Sequence, residues 1–244
     1  VAAGADGASS WAALGAAAAD PLPTSTCASQ ADPAAAKATI PTNRTAVEPM
    51  RAFRESLARG PEVIAFANEH VDEEQALSAI NLLLSCRGRR FCTGVGKSGL
   101  AAARFAASLS SIGVPTQSVH GGEWAHGELG GVRADDVVLA VSSSGVTAEM
   151  LWLAEQLRSR SVVMLALTRS GTPLARAASA VVVCESPADA EVVGLLPAGS
   201  TLAAHHVFNA LLAECAERVS LGAQQVARDH PAGAVGSLAR AEPS

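Results

Sequence analysis

Apolar and polar positions change period along this chain, and the changes mark its elements. Over residues 46–59 and 73–86 apolar residues recur at helical spacing, with Ala76, Ile80, Leu83 and Leu84 among them. Two helices are predicted there. Five short runs rich in Val, Leu and Ala follow, at 90–94, 115–119, 137–142, 162–168 and 180–184, and helical segments alternate with them. Continuous apolar runs with a helix between each are the pattern of a parallel sheet covered on both faces. The predicted fold is α/β, a three-layer sandwich in which a five-stranded parallel sheet is flanked by helices. Ligands of such open sheets bind beyond the carboxyl ends of the strands. The polar residues gather there: Lys97 and Ser98 after the first run, His120 to Glu128 after the second, Ser142 to Thr147 after the third.

Composition divides the 244 residues unevenly. The first 45 are dominated by Ala, interrupted by Pro21, Pro23, Pro33 and Pro41, and carry few large aliphatic side chains with which to build a core. They read as a disordered or loosely helical leader, residues 46–236 as one domain, and 237–244 as a tail. Asp6, Asp20 and Asp32 precede the first arginine, Arg44, against the Arg-rich, acid-poor pattern of transit peptides, and organelle targeting by this leader stays open. No stretch of 18 apolar residues with suitable flanks predicts a membrane span. A net charge of -5 without a clustered basic face excludes a general nucleic-acid surface. Cys27, Cys86, Cys92, Cys184 and Cys215 are widely spaced and contain no C-x-x-C pair, which points to reduced thiols and a cytoplasmic setting.

Two loops carry the candidate chemistry. Gly94-Val95-Gly96-Lys97-Ser98-Gly99 joins the first predicted strand to a helix predicted from Leu100 to Ser111. Glycines let the backbone close on an anion, and the free N–H groups and positive end of the next helix attract it. The segment also matches G-x-G-x-x-G, but the second strand ends at His120-Gly121-Gly122 with no acid for a ribose, which weighs against a dinucleotide. The nucleoside-triphosphate loop needs a glycine where Phe91 stands. The second loop, Ser142-Ser143-Ser144-Gly145-Val146-Thr147, concentrates hydroxyls and N–H groups at another helix start. Alone it reads as an N-cap with spare serines. Paired with the first, it reads as a second phosphate cradle.

These residues resemble the sugar isomerase (SIS) domain family, whose members bind phosphosugars through an S-x-S-G-x-[ST] loop, here 142–147. Within the family the chain is most similar to the D-arabinose 5-phosphate isomerases. The matching segments are GVGKSG at 94–99, HGGEWAHGELG at 120–130, SSSGVTAE at 142–149, GLLPAGST at 194–201 and HPAGAVG at 230–236. They depart from that pattern at Ser143 for Asn, Val146 for Glu, Ala198-Gly199 for Thr-Ser and Ala232 for Gly. Many such isomerases carry a pair of CBS modules after the last segment, and the expectation here is a short form without them.

The resemblance implies a cofactor-free aldose-ketose isomerase interconverting D-ribulose 5-phosphate and D-arabinose 5-phosphate through an enediol, in the synthesis of 3-deoxy-D-manno-octulosonate, with a homotetrameric assembly. A non-catalytic phosphosugar sensor, or an isomerase for another phosphosugar, is the alternative. Such an isomerisation needs a base, a proton carrier and oxyanion stabilisation. Lys97 is one of two lysines against sixteen arginines, so a lysine here points to a need for a compact ammonium. Glu149 begins a helix, where the dipole favours a carboxylate anyway, and the resemblance makes it catalytic. His230 and Asp189 complete the expected catalytic set, with His230 reaching a neighbouring subunit's pocket. Ser98, Ser142, Ser143, Ser144, Thr147, Ser200 and Thr201 are expected to bind substrate, as are His120, Glu123 and His126. Those last three stand at H-x-x-E-x-x-H spacing, but the glycine pair after His120 disfavours the helix that a metal site of H-E-x-x-H type would use. No metal is expected. His205 and His206 fall in an apolar helix and are left outside the site.

Overall fold

Each of the five predicted strands forms within one residue of its expected bounds: β1 (Arg90–Gly94), β2 (Thr116–His120), β3 (Val137–Val141), β4 (Val163–Thr168) and β5 (Ala180–Val183). They come from a computed structural model that describes residues 48–241, so the expected leader 1–45 lies outside the described residues. All pair in parallel, in the order β2-β1-β3-β4-β5.

Side chains of β1, β3 and β4 alternate between two cores, which is why β3 and β4 read as nearly unbroken apolar runs, whereas the edge strand β2 is largely exposed. On one face Cys92, Val137, Leu139, Val141, Leu165 and Leu167 join one buried cluster. It is completed by α1 (Arg51–His70), α2 (Glu73–Ser85), α3 (Gly96–Ser111) and α6 (Gly199–Arg218). On the other face Phe91, Val138, Ala140, Met164 and Ala166 pack with α4 (Ala148–Ser159) and α5 (Pro173–Ala177). Phe105 of α3 and Phe208 of α6 are fully buried and stacked with centroids 4.3 Å apart, fixing the two helices whose first turns meet at the site.

Three boundaries differ from the sequence expectation. Helix α1 continues through Gly60-Pro61 to His70, where periodicity from sequence stopped at Arg59. Burial of Val63 and Ala67 in the core and the approach of Leu202 to Gly60 offset the hydrogen bond the proline removes. Helix α3 begins at Gly96, inside the glycine loop, not at Leu100. After α7 (Ala223–Asp229), α8 spans Gly233–Ala241, so the boundary expected at 236 falls within a helix. No helix among the described residues is long and apolar enough to cross a membrane.

Candidate active site

Chain order reverses direction in the sheet at β1 and β3: β2 lies on one side of that pair and β4 on the other. A crevice opens outside the carboxyl ends of strands at such a switch point. Gly94 is in register with His120 of β2 and Val141 of β3, so the loops after three strands leave the sheet at one level. The two loops singled out from sequence are the two that flank this crevice.

The first loop depends on close backbone approach. A Cβ on Gly99 would stand 2.6 Å from the Gly94 carbonyl oxygen, so only glycine lets α3 start directly off β1. Lys97 is the second residue of α3, exposed and without a polar partner among the described residues. A cation at a helix N-terminus opposes the dipole. Its place is therefore not explained by helix stability.

The serine loop is knitted by its own hydroxyls. Ser142, 2% exposed, accepts the Gly145 N–H through Oγ at 3.1 Å and bonds Thr147 Oγ1 at 2.9 Å. Ser144 Oγ accepts the Val146 N–H at 3.4 Å. Ser142 and Thr147 thus brace the loop, and Ser143 is the member that faces the cavity. Gly145 has φ 63°, and a Cβ there would collide with Thr172 and stand 2.7 Å from Thr168 Oγ1. Gly145→Ala is expected to destabilise the fold by about 2 kcal/mol, from a left-handed backbone and a displaced Thr172. The check is a lower urea midpoint at unchanged m; an unaltered midpoint would contradict this geometry.

The cavity is about 50 Å³ and is lined by Lys97, Ser98, Ser143, Thr168, Ser200 and Thr201, with Ala101, Val141, Leu167, Cys184, Pro197 and Ala204 supplying the rest of its wall. It accommodates only part of a sugar phosphate, and the rest of such a ligand would lie in the open crevice. Cys184 is not a nucleophile here. Burial, reinforced by the negative charge of Glu185, pushes its thiol up to about 12, so it is protonated at neutral pH.

Five of the predicted residues, Lys97, Ser98, Ser143, Ser200 and Thr201, therefore meet in one cavity. The others do not line it. Glu149 is the second residue of α4, exposed at the end of the serine loop. His120 ends β2 with its ring beside Gly99, and its Nδ1 accepts the Gly122 N–H at 3.2 Å, leaving Nε2 to carry the proton of the neutral ring. Glu123 and His126 sit exposed on a 3₁₀ turn, Glu123–His126. That turn is pinned by buried Trp124, whose Nε1 donates to Thr93 Oγ1 at 2.8 Å. Among the described residues no three His, Cys, Asp or Glu side chains converge to hold a metal ion.

Two of the expected residues are held by contacts elsewhere. Asp189 is paired with Arg59 of α1 at 2.8 Å and 68% exposed, on the outer side of the segment before α6. His230 caps the carboxyl end of α7, with Nδ1 at 3.1 Å from the Val226 carbonyl oxygen. Gln225 of α7 packs against Gly113, just past the far end of α3. Lys97 lies at the other end of that helix, about 24 Å away for 16 residues. In a single chain His230 thus stands toward the opposite edge of the sheet.

Sequence reasoning missed Thr168 and Glu191. Thr168 is fully buried at the end of β4 and reads as one more strand residue. Glu191 accepts the N–H groups of Ala198 and, at 3.0 Å, Ser200, capping the start of α6 and holding Ser200 and Thr201 at the cavity. An acid upstream of a helix start was the available signal. Of the two histidines left aside, His206 bonds Asn68 Oδ1 at 2.7 Å, whereas His205 Nδ1 is buried without a partner among the described residues.

The chain is similar to known proteins. Arabinose 5-phosphate isomerase GutQ of Salmonella typhi is 36% identical over 160 residues, 65% of this chain and 50% of that protein. Arabinose 5-phosphate isomerase KdsD of Escherichia coli K12 is 34% identical over 187 residues, 76% of this chain and 57% of that protein. The chain thus spans about half the length of the curated relatives it matches. The solved structure of E. coli CFT073 c3406 in complex with A5P superposes with a TM-score of 0.70 at 30% identity, covering 75% of this chain and 97% of that one. The SIS domain model matches residues 83–214, from the end of α2 through the serine loop and most of α6. With more than half of its 244 residues in that match, and with both the glycine loop and the serine loop inside it, the chain belongs to the SIS domain family.

Proposed function

We propose that this protein is an aldose-ketose isomerase interconverting D-arabinose 5-phosphate and D-ribulose 5-phosphate. One observation carries the reading: Lys97 shares a cavity with Ser98, Ser143, Ser200 and Thr201 at the sheet's switch point, so an ammonium stands among phosphate-binding hydroxyls. The relatives named arabinose 5-phosphate isomerase and the A5P complex of c3406 support the choice of pentose.

In the reaction the opened aldose loses its C2 proton to a base, giving an enediol. A proton moves from O2 to O1 as the carbonyl passes from C1 to C2, and C1 takes up a proton to complete the ketose. Ser98, Ser143 and the loop N–H groups hold the phosphate, with Ser142 and Thr147 bracing the loop. Lys97 stabilises the developing enediolate oxygen. Glu149, poised at the end of the serine loop, carries the proton between carbons. His230 serves ring opening or proton transfer from a neighbouring copy, because its own chain holds it near the other end of α3. A homotetramer in the cytoplasm is the assembly and setting this reading implies. Asp189, on its salt bridge to Arg59, is left without a catalytic role.

The test follows purified protein with D-arabinose 5-phosphate in EDTA, by the appearance of ketopentose phosphate. Turnover by the wild type that is lost in Lys97→Met is expected. Absence of turnover together with retained phosphosugar binding would favour a sensor or a different phosphosugar.

A further inference from the structure

We propose that Arg169 is a specificity residue for the phosphate group, supplying a guanidinium that the motif residues do not. The proposal rests on the phosphosugar reading above. Arg169 follows Thr168 at the carboxyl end of β4, and the Ser142 N–H bonded to the Leu167 carbonyl oxygen at 3.1 Å keeps this strand end beside the serine loop. Arg169 Nε donates to the Ser143 carbonyl oxygen at 3.1 Å, and Ser143 lines the cavity. One edge of the guanidinium is thereby fixed over the loop. Its two terminal nitrogens have no protein partner among the described residues, and the side chain is exposed to an incoming ligand.

Charge balance gives this cation a task. A sugar phosphate carries about -1.5 to -2 at neutral pH. Lys97 is the one cation among the cavity-lining residues, and the proposed mechanism already commits it to the enediolate oxygen. Glu185, just past β5, takes the Ser170 N–H at 2.9 Å and Ser170 Oγ at 2.8 Å on one oxygen, and no carboxylate among the described residues forms an ion pair with Arg169. A planar fork with free donors beside a hydroxyl-rich loop suits a phosphate's oxygens, which a lysine would meet only as a point charge. The guanidinium is poised to receive the dianion from the solvent side while Ser143 and the loop N–H groups hold it from within. A neutral sugar, or one bearing its charge elsewhere, would gain nothing from it.

Arg169→Gln separates charge from bracing, because glutamine keeps an N–H donor for the Ser143 carbonyl and removes the cation. Binding of inorganic phosphate and of D-arabinose 5-phosphate would be measured by calorimetry, with KM and kcat alongside. For Arg169→Gln, Kd for both ligands and KM are expected to rise about tenfold, with kcat changed less than about twofold. The wild type should lose phosphate affinity more steeply with added KCl than the variant does, and Arg169→Lys should recover part of the loss. Unchanged Kd and KM in Arg169→Gln would overturn the proposal, as would a fall in kcat at constant KM, which marks a loop brace. A wild type that binds neither ligand and shows no turnover would instead sink the phosphosugar reading on which this one stands.

Discussion

Glu149→Gln is expected to lower kcat with D-arabinose 5-phosphate by roughly 10²–10⁴-fold, the range for a positioned acid-base group, while leaving Kd for the sugar phosphate within about threefold of wild type. The structure makes this substitution clean. Glu149 is exposed in the first turn of α4 and has no hydrogen-bond or ion-pair partner among the described residues, so glutamine removes no internal contact. The lost favourable interaction with the helix dipole is worth about 0.3–1 kcal/mol, too little to unfold the domain. Thermal unfolding should therefore stay close to wild type while turnover collapses. An unchanged kcat would remove Glu149 from the mechanism. A kcat loss matched by loss of phosphosugar binding would make it a substrate contact instead.

The second large effect concerns His230. His230→Gln is expected to lower kcat by a similar factor, although the residue sits near the end of α3 opposite Lys97 in its own chain. If each site takes Glu149 from one copy and His230 from another, mixing the two inactive variants rebuilds some sites from intact halves. With random re-association of equal amounts, about a quarter of the sites would carry both wild-type groups, and activity should return to about a quarter of wild type. A mixture as inactive as its components would place both groups within one subunit's site, or His230 outside catalysis. Helix α8 gives a reason to expect such a neighbour: Val235 and Leu238 are 54% and 70% exposed, and α7 and α8 pack mainly on each other.

The strand pattern was readable because a sheet covered on both faces must be apolar along its whole length, and Val137 to Val141 shows nothing else. The loops were readable for a complementary reason. Anion cradles need glycine and hydroxyl residues next to one another in sequence, so Gly94 to Gly99 and Ser142 to Thr147 announce themselves locally. Helix α1 was cut short because Gly60-Pro61 is locally a breaker, and the packing that carries the helix past it comes from residues more than a hundred positions away, such as Leu202. Asp189 was placed by the family resemblance, but a resemblance does not say which way an exposed loop turns. Its carboxylate meets Arg59, while Glu191 two residues on turns inward to cap α6.

By itself, then, the sequence determined the architecture, the two loops and the serines and lysine that serve them, since each rests on periodicity or on residues adjacent along the chain. Only the tertiary structure decided the division of labour. It showed that Ser142 and Thr147 brace the loop while Ser143 faces the cavity. It added Thr168 and Arg169 at the end of β4, next to the serine loop only because β3 and β4 pair. It also set His230 apart from its own cavity. Those are relations between distant segments, created by strand pairing and helix packing, and no local pattern encodes the direction in which a side chain will point once the sheet has formed.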